Sequence, residues 1–198
     1  CGAAGVKAAV VISSGFAEEP GGAGMAGQMR LREIAARHGM ALLGPNSEGF
    51  ATLGLSLCVT FSPAVAEGSA PLLPRTSNGR IAVVAQSGGM GFAFLDRGKP
   101  KGLHFSHIVT TGNEACLEVS DVVEHLVDAD EADAFILLLE DVKTTASFTR
   151  AAGKARSLRK PIVAIKIGTS DAGERAARSH TAALAGSYAA FSAVARRH

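Results

Sequence analysis

Several short stretches hold residue types that can manage a charged group in transfer. Ser179-His180-Thr181 sets an imidazole between two hydroxyls, followed by the small-residue run Ala182-Ala183-Leu184-Ala185-Gly186. Neutral imidazole is a competent nucleophile near pH 7, and small neighbours leave it accessible on a segment able to move. Glu140 closes the apolar run Phe135-Ile136-Leu137-Leu138-Leu139, where a carboxylate partly shielded from water generally has a partner. It is the best-placed acid to accept the second ring N–H of His180, fixing the tautomer and raising its basicity. On the residues alone, a strand-end acid that reaches solvent or pairs with Lys166 accounts for Glu140 equally well. Ser87-Gly88-Gly89 has the build of an anion-holding turn: two glycines admit close backbone approach, Ser87 adds a hydroxyl, and the helix that follows points its positive end at the site. A helix cap and tight turn explains the same residues. Thr111-Gly112-Asn113 is a second candidate nest of backbone donors, or a plain strand-to-helix turn.

These groups need a scaffold that brings them together. Short β-branched runs, each followed by a Gly-containing turn and an amphipathic stretch, predict βαβ units and a parallel sheet. Strands are expected at Ala8–Ser13, Met40–Leu43 and Cys58–Phe61, then at Arg80–Gln86, His104–Thr110, Ala134–Glu140 and Pro161–Ile167. Helices are expected at Met25–His38, Gly88–Arg97, Ser120–Val127 and Thr145–Ser157, with a last one from Ser187. In the third of these, Val122, Val123, Leu126 and Val127 share one face at helical spacing, and Ser120 is the expected N-cap. The near-continuous apolar strands suit a sheet covered on both faces. Residues 63–78 carry Pro63, Pro71 and Pro74 with little periodicity and are the expected linker between a first unit, 1–62, and a doubly wound unit, 79–198. In such a sheet ligands sit at the carboxyl ends of the strands. Gln86 to Gly89, Thr111 to Glu114, Glu140, and the loop from Gly168 to Thr181 then face one crevice.

Composition narrows the classes. With 198 residues, 47% hydrophobic and 19% charged, and a net charge of +2, the chain is not a disordered tail. Aromatic residues make up 5% and Trp is absent, so nucleic acid is not the expected partner. No apolar run approaches the ~18 residues of a membrane span, and no signal peptide is evident. Cys1, Cys58 and Cys116 lack metal-ligand spacing; no metal site is expected, and an odd count suits a reduced, cytoplasmic setting. Gly is abundant at 23 residues, against a usual share of about 7%. With Cys1 at one end, Arg196-Arg197-His198 at the other and no initiating Met, the chain reads as part of a longer polypeptide.

Five motifs in order, GPNSEGF at Gly44 to Phe50, VAQSGG at Val84 to Gly89, TTGNEA at Thr110 to Ala115, the strand ending LLLED, and RAARSHTAALAGS at Arg175 to Ser187, resemble the NDP-forming acyl-CoA synthetases. These include ADP-forming acetate–CoA ligases and are related to the succinyl-CoA synthetase alpha subunit. The resemblance implies the C-terminal part of a Rossmann-like CoA-binding domain, then a flavodoxin-like, succinyl-CoA ligase-like domain carrying a phosphorylated His. It implies a reversible reaction of acyl-CoA, phosphate and ADP or GDP to carboxylic acid, CoA and ATP or GTP. His180 would take the phosphoryl group and Glu140 orient it. Ser87, Gly88, Gly89, Gly112, Asn113, Ser179 and Thr181 would hold phosphate, and Pro45, Asn46 and Ser47 would lie at the CoA. The CoA-binding Gly-rich turn and the ATP-grasp portion that binds nucleotide with Mg²⁺ have no counterpart in the sequence, so the 198 residues alone are expected to be inactive. An oligomer with an ATP-grasp domain or subunit is implied.

Two departures stand out. Ala182 replaces the family's usual Gly after Ser-His-Thr. Ser47-Glu48-Gly49 replaces Cys-Leu-Gly, which alters the acyl end of the site and leaves the phosphoryl relay untouched. The alternative class is a ligand-sensing module of a protein lysine acetyltransferase, disfavoured by the retained His180 and Glu140; a flavin-binding domain lacks the aromatic residues to sandwich the ring.

Overall fold

The computed structural model describes residues 1–19, 21–66, 79–168 and 188–197. Strands β1 (Ala8–Val10) and β2 (Ala41–Leu43) run parallel and are joined by helix α1 (Ala23–His38). The expected βαβ unit is present, with Gly39 in the left-handed conformation closing α1. Beyond it come β3 (Gly49–Thr52), β4 (Leu57–Thr60), β5 (Ile81–Ala85), α2 (Gly88–Gly98), β6 (Phe105–Thr110), α3 (Val119–Asp128), β7 (Ala134–Leu139), α4 (Thr145–Ser157), β8 (Ile162–Lys166) and α5 (Tyr188–Arg197). They form a six-stranded sheet in the order β4-β3-β6-β5-β7-β8.

The period-two pattern of β5 sorts its side chains to opposite faces. Val83 packs on one side with Phe92 and Leu95 of α2 and with Ile108 of β6. Ala82 and Val84 pack on the other with Val119, Val123 and Leu126 of α3 and Phe148 and Ala151 of α4. Helices therefore cover both faces, and the doubly wound α/β class read from the sequence holds. The run from β6 through β8 is parallel throughout.

The sheet is not wholly parallel, which corrects the simpler expectation. β3 pairs antiparallel with β4 and with β6, so the hairpin of residues 49–60 joins the sheet whose other strands follow residue 78. β3 escapes sequence reading because Gly-Phe-Ala-Thr is short and not β-branched throughout. Its first residue explains the geometry. Gly49 has φ +93°, and a methyl there would collide with the Val59 carbonyl oxygen, an approach only glycine permits.

Helix α3 begins one residue earlier than expected. Glu118, not Ser120, caps it, through a reciprocal box in which the Asp121 carboxylate accepts the Glu118 N–H at 2.9 Å. A residue whose carboxylate meets the first-turn amides outcompetes the serine hydroxyl two positions on.

Phe135 on β7 is fully buried. Phe135→Ala is expected to cost about 3–5 kcal/mol of stability, read by urea denaturation; a loss below about 1 kcal/mol would mean that β7 is not central to this core.

Candidate functional site

β5 lies between β6 and β7, so the connection leaving β5 and the one entering β7 run in opposite directions across the sheet. The carboxyl ends of β5 and β7 thus flank the topological switch point, where open α/β sheets hold ligands. Sequence-predicted residues meet there. Asn46, Ser47, Ser87, Gly88, Gly89, Gly112, Asn113 and Glu140 all line one cavity of about 250 Å³, together with Gln86 and Glu48. Ser179, His180 and Thr181 lie outside the described residues.

Ser87 sits in extended conformation at the N-cap of α2 and makes no side-chain capping bond. The first helical hydrogen bond from this turn is Gly91 N–H to the Ser87 carbonyl at 3.1 Å, so the amides of Gly88, Gly89 and Met90 precede it at the positive end of an eleven-residue helix. Glu48 stands against this turn: a methyl on Gly88 would lie 2.8 Å from Glu48 Cβ and 3.1 Å from its Oε2. Glu48 was expected at the acyl end of the site; its carboxylate also adjoins the turn of Ser87 to Gly89.

The second turn behaves differently from a free nest. Thr111 N–H donates to the Ala85 carbonyl, Asn113 N–H to the Pro45 carbonyl and Glu114 N–H to the Thr111 carbonyl, so these amides are consumed inside the protein. Gly112, at φ +59°, packs so closely on the loop after β2 that a methyl would collide with the Pro45 carbonyl oxygen. The Asn113 side chain accepts from Asn46 Nδ2 at 3.2 Å and donates to Gln28 and Glu18. Burial would raise the Glu18 carboxyl, but hydrogen bonds led by that from Asn113 outweigh it and hold it below its ordinary range. Ser47 is 2% exposed, its hydroxyl donating to the Thr110 carbonyl and accepting from Gly49 N–H. Pro45, Asn46, Ser47 and Asn113 therefore lock β2, β3 and β6 ends together around the cavity.

Glu140 is 8% exposed and lines the cavity. Among the described residues no donor reaches its carboxylate; Lys166 Nζ donates instead to its carbonyl at 2.7 Å. No Lys or Arg among the described residues lines the cavity. Among the described residues, no group of three His, Cys, Asp or Glu is placed to hold a metal, and no helix is long and apolar enough to cross a membrane.

Residues 78–198 match the family model of the succinyl-CoA ligase-like flavodoxin domain. The chain belongs to that family. It is 40% identical over its full length to the ADP-forming acetate–CoA ligase I of Archaeoglobus fulgidus, covering 27% of that protein. To the alpha subunit of ADP-forming acetate–CoA ligase II of Pyrococcus furiosus it is 35% identical, over 98% of this chain and 39% of the relative. The structure superposes with a TM-score of 0.83 on a Ca. Korarchaeum cryptofilum dinucleotide-forming acetyl-coenzyme A synthetase 1 in complex with phosphate and ADP, at 34% identity, covering 98% of this chain and 39% of that one. The chain thus spans well under half the length of these relatives. They bear out the resemblance carried by the motifs and do not favour the acetyltransferase module.

Sequence reasoning set Gln86 and Glu114 of this flavodoxin-like domain near the crevice but missed the part they play there. Gln86 Nε2 donates to the Glu114 carboxylate at 2.8 Å, and Thr111 Oγ1 and Val119 N–H donate to it at 3.0 and 2.8 Å. A polar residue closing an otherwise apolar strand, and an acid directly after Asn113, were the available signals. Burial pushes the Glu114 carboxyl up to about 7, against the opposing pull of Lys143 and of these hydrogen bonds. Folding therefore retains a proton that the unfolded chain releases above its ordinary value of 4.5. The associated stability is present below about 4.5 and is lost as pH rises through about 7. Urea unfolding at pH 5 and pH 8 should show wild type losing more stability across that interval than Glu114→Gln; equal losses would contradict the assignment.

Proposed function

We propose that this chain supplies the phosphoryl-relay part of an ADP- or GDP-forming acid–CoA ligase. The observation that supports it most is the cavity at the switch point, lined by both the N-terminus of α2 and the buried Glu140, with no Lys or Arg among the described residues of its wall. That pairing suits an anion held by amide dipoles beside a carboxylate that orients a base.

In this reading a phosphate oxygen attacks the thioester carbonyl of acyl-CoA, the C–S bond breaks and CoA leaves as thiolate. The amides of Gly88 and Gly89, with the Ser87 hydroxyl, hold the phosphate during attack, and Gly112 lets the neighbouring loop close on it. An imidazole nitrogen of His180 then takes the phosphoryl group from the acyl phosphate, breaking its P–O bond and releasing the carboxylic acid. Glu140 accepts the other ring N–H, keeping the attacking nitrogen unprotonated and stabilising the charge that develops on the ring. Ser179 and Thr181 flank the imidazole and offer hydroxyls to the transferred group. Phospho-His180 finally gives its phosphoryl group to the nucleoside diphosphate.

The Korarchaeum structure is a complex with phosphate and ADP, and relatives are named as alpha subunits, which supports a second portion; in this reading it is of ATP-grasp type and binds nucleotide with Mg²⁺. Residues 79–198 carry the relay. The unit built on β1, α1 and β2 would be the edge of the CoA-binding domain, with Pro45, Asn46 and Ser47 shaping its boundary with the relay cavity, whereas the hairpin of residues 49–60 belongs to the sheet that carries the relay. A cytoplasmic oligomer is the setting this reaction fits.

The test is to incubate the full-length protein with ATP and Mg²⁺ and to measure acid-labile, base-stable phosphate. Wild type should incorporate label, His180→Ala none, and Glu140→Gln should slow incorporation by about 10²-fold. Equal labelling of wild type and His180→Ala would overturn the relay.

A further inference from the structure

Glu140 follows the last position of β7's register and lines the cavity, and a strand end has more freedom than a residue held in a ladder on both sides. A buried side chain removes that freedom. Gln86 Oε1 accepts the Glu140 N–H at 2.5 Å and the Asp141 N–H at 2.9 Å, while its Nε2 donates to the Asp141 carbonyl at 3.0 Å. The amide has one tolerable orientation: flipped, its NH₂ would face two N–H donors. In the orientation kept, the second Nε2 hydrogen needs an acceptor out of water, and leaving it without one costs about 1–3 kcal/mol.

Glu114 is that acceptor. Its carboxylate takes the Gln86 Nε2 hydrogen on one oxygen and the Thr111 hydroxyl and Val119 N–H on the other. Val119 opens α3 and Thr111 follows β6, so one carboxylate ties the start of α3 and the end of β6 to the amide that holds the ends of β5 and β7. Its backbone is fixed as well. Glu114 adopts φ +53°, uncommon for a residue with a side chain and maintained only where surroundings over-determine it. Lys143 Nζ donates to the Glu114 carbonyl at 3.2 Å and to that of Asn113. Glu114 does not line the cavity, so it touches no reacting atom.

We propose that Glu114 is a positioning residue of the site: acting through Gln86, it fixes the end of β7 so that the Glu140 carboxylate stays aimed into the cavity. This rests on the ligase reading above, in which Glu140 orients the phosphoryl-accepting imidazole. Loss of Glu114 frees the Gln86 amide to rotate, the Glu140 N–H loses its fixed acceptor, and the carboxylate samples directions that do not meet the ring.

The experiment is steady-state ATP formation from acetyl-CoA, phosphate and ADP by the full-length protein, with the melting temperature of every variant measured alongside. Glu114→Ala should lower kcat about tenfold or more while the KM for acetyl-CoA moves less than about threefold, because a 1 Å misplacement at a reacting centre falls on the chemical step. Gln86→Ala should lose as much, and the double variant no more than either, since both break one chain of contacts. Glu114→Gln keeps an amide oxygen for Gln86 Nε2 but turns its NH₂ toward the Val119 N–H, so it should recover only part of the lost kcat. Either a folded Glu114→Ala with wild-type kcat or multiplied losses in the double variant would overturn the inference. If Glu114→Ala does not fold, Gln86→Ala, which removes the same link, carries the comparison, and a folded Gln86→Ala with wild-type kcat would overturn the inference. A wild-type protein that makes no ATP from acetyl-CoA or from a panel of longer acyl-CoAs overturns the ligase reading and this inference with it, whereas an active wild type with unaffected variants overturns this inference alone.

Discussion

A buried amide whose orientation is dictated from both ends governs the architecture of this site. Parallel strands end in loops, and loops drift unless something converts the open end of the sheet into a fixed surface. Gln86 does so by accepting from the main chain just past β7 and donating to the carboxylate just past β6. Its position at the end of the central strand β5 lets one side chain reach both neighbours. The costs of a buried amide and a buried carboxylate are offset only because each supplies what the other lacks.

Around that fixed edge, the proposed relay would have to receive its anions in a cavity with unusual electrostatics. Glu48 and Glu140 both line it, and among the described residues neither Lys nor Arg does. In that reading the amide dipoles at the start of α2 would supply the favourable potential. A wall that relies on dipoles holds an anion loosely enough to let it leave, which suits a group in transit. Glu48 adds negative charge directly beside the Gly88 turn, so the α2 amides must offset it as well as the incoming charge.

Much of this was legible in the sequence, and the parts that were not share a physical cause. The apolar strands and their helices declared themselves through periodicity, and α4 falls on the expected residues Thr145–Ser157. The strand-end rule placed Ser87, Gly88, Gly89 and Glu140 at one crevice, as found. β3 was hidden because its place in the sheet depends on Val59 and Val109, distant in sequence, and not on its own four residues. Asn113 and Ser47 carry donors suited to a ligand, yet their partners are protein groups 63 to 95 residues away. Residue type reveals what a side chain can bind; only the fold decides what it has already bound. Glu114 is the reverse case, an acid whose importance arises from burial that no local pattern announces.

The central claim is that the start of α2, facing Glu140, is where phosphate is held. A titration of the ¹⁵N-labelled protein with inorganic phosphate, followed by amide chemical shifts, tests it without requiring turnover. Saturable shifts of the Gly88, Gly89 and Met90 amides, with those of Thr111 and Asn113 changing little because carbonyls already occupy them, are the predicted result. Saturable shifts confined to residues outside this cavity, or none at the α2 turn, would contradict it.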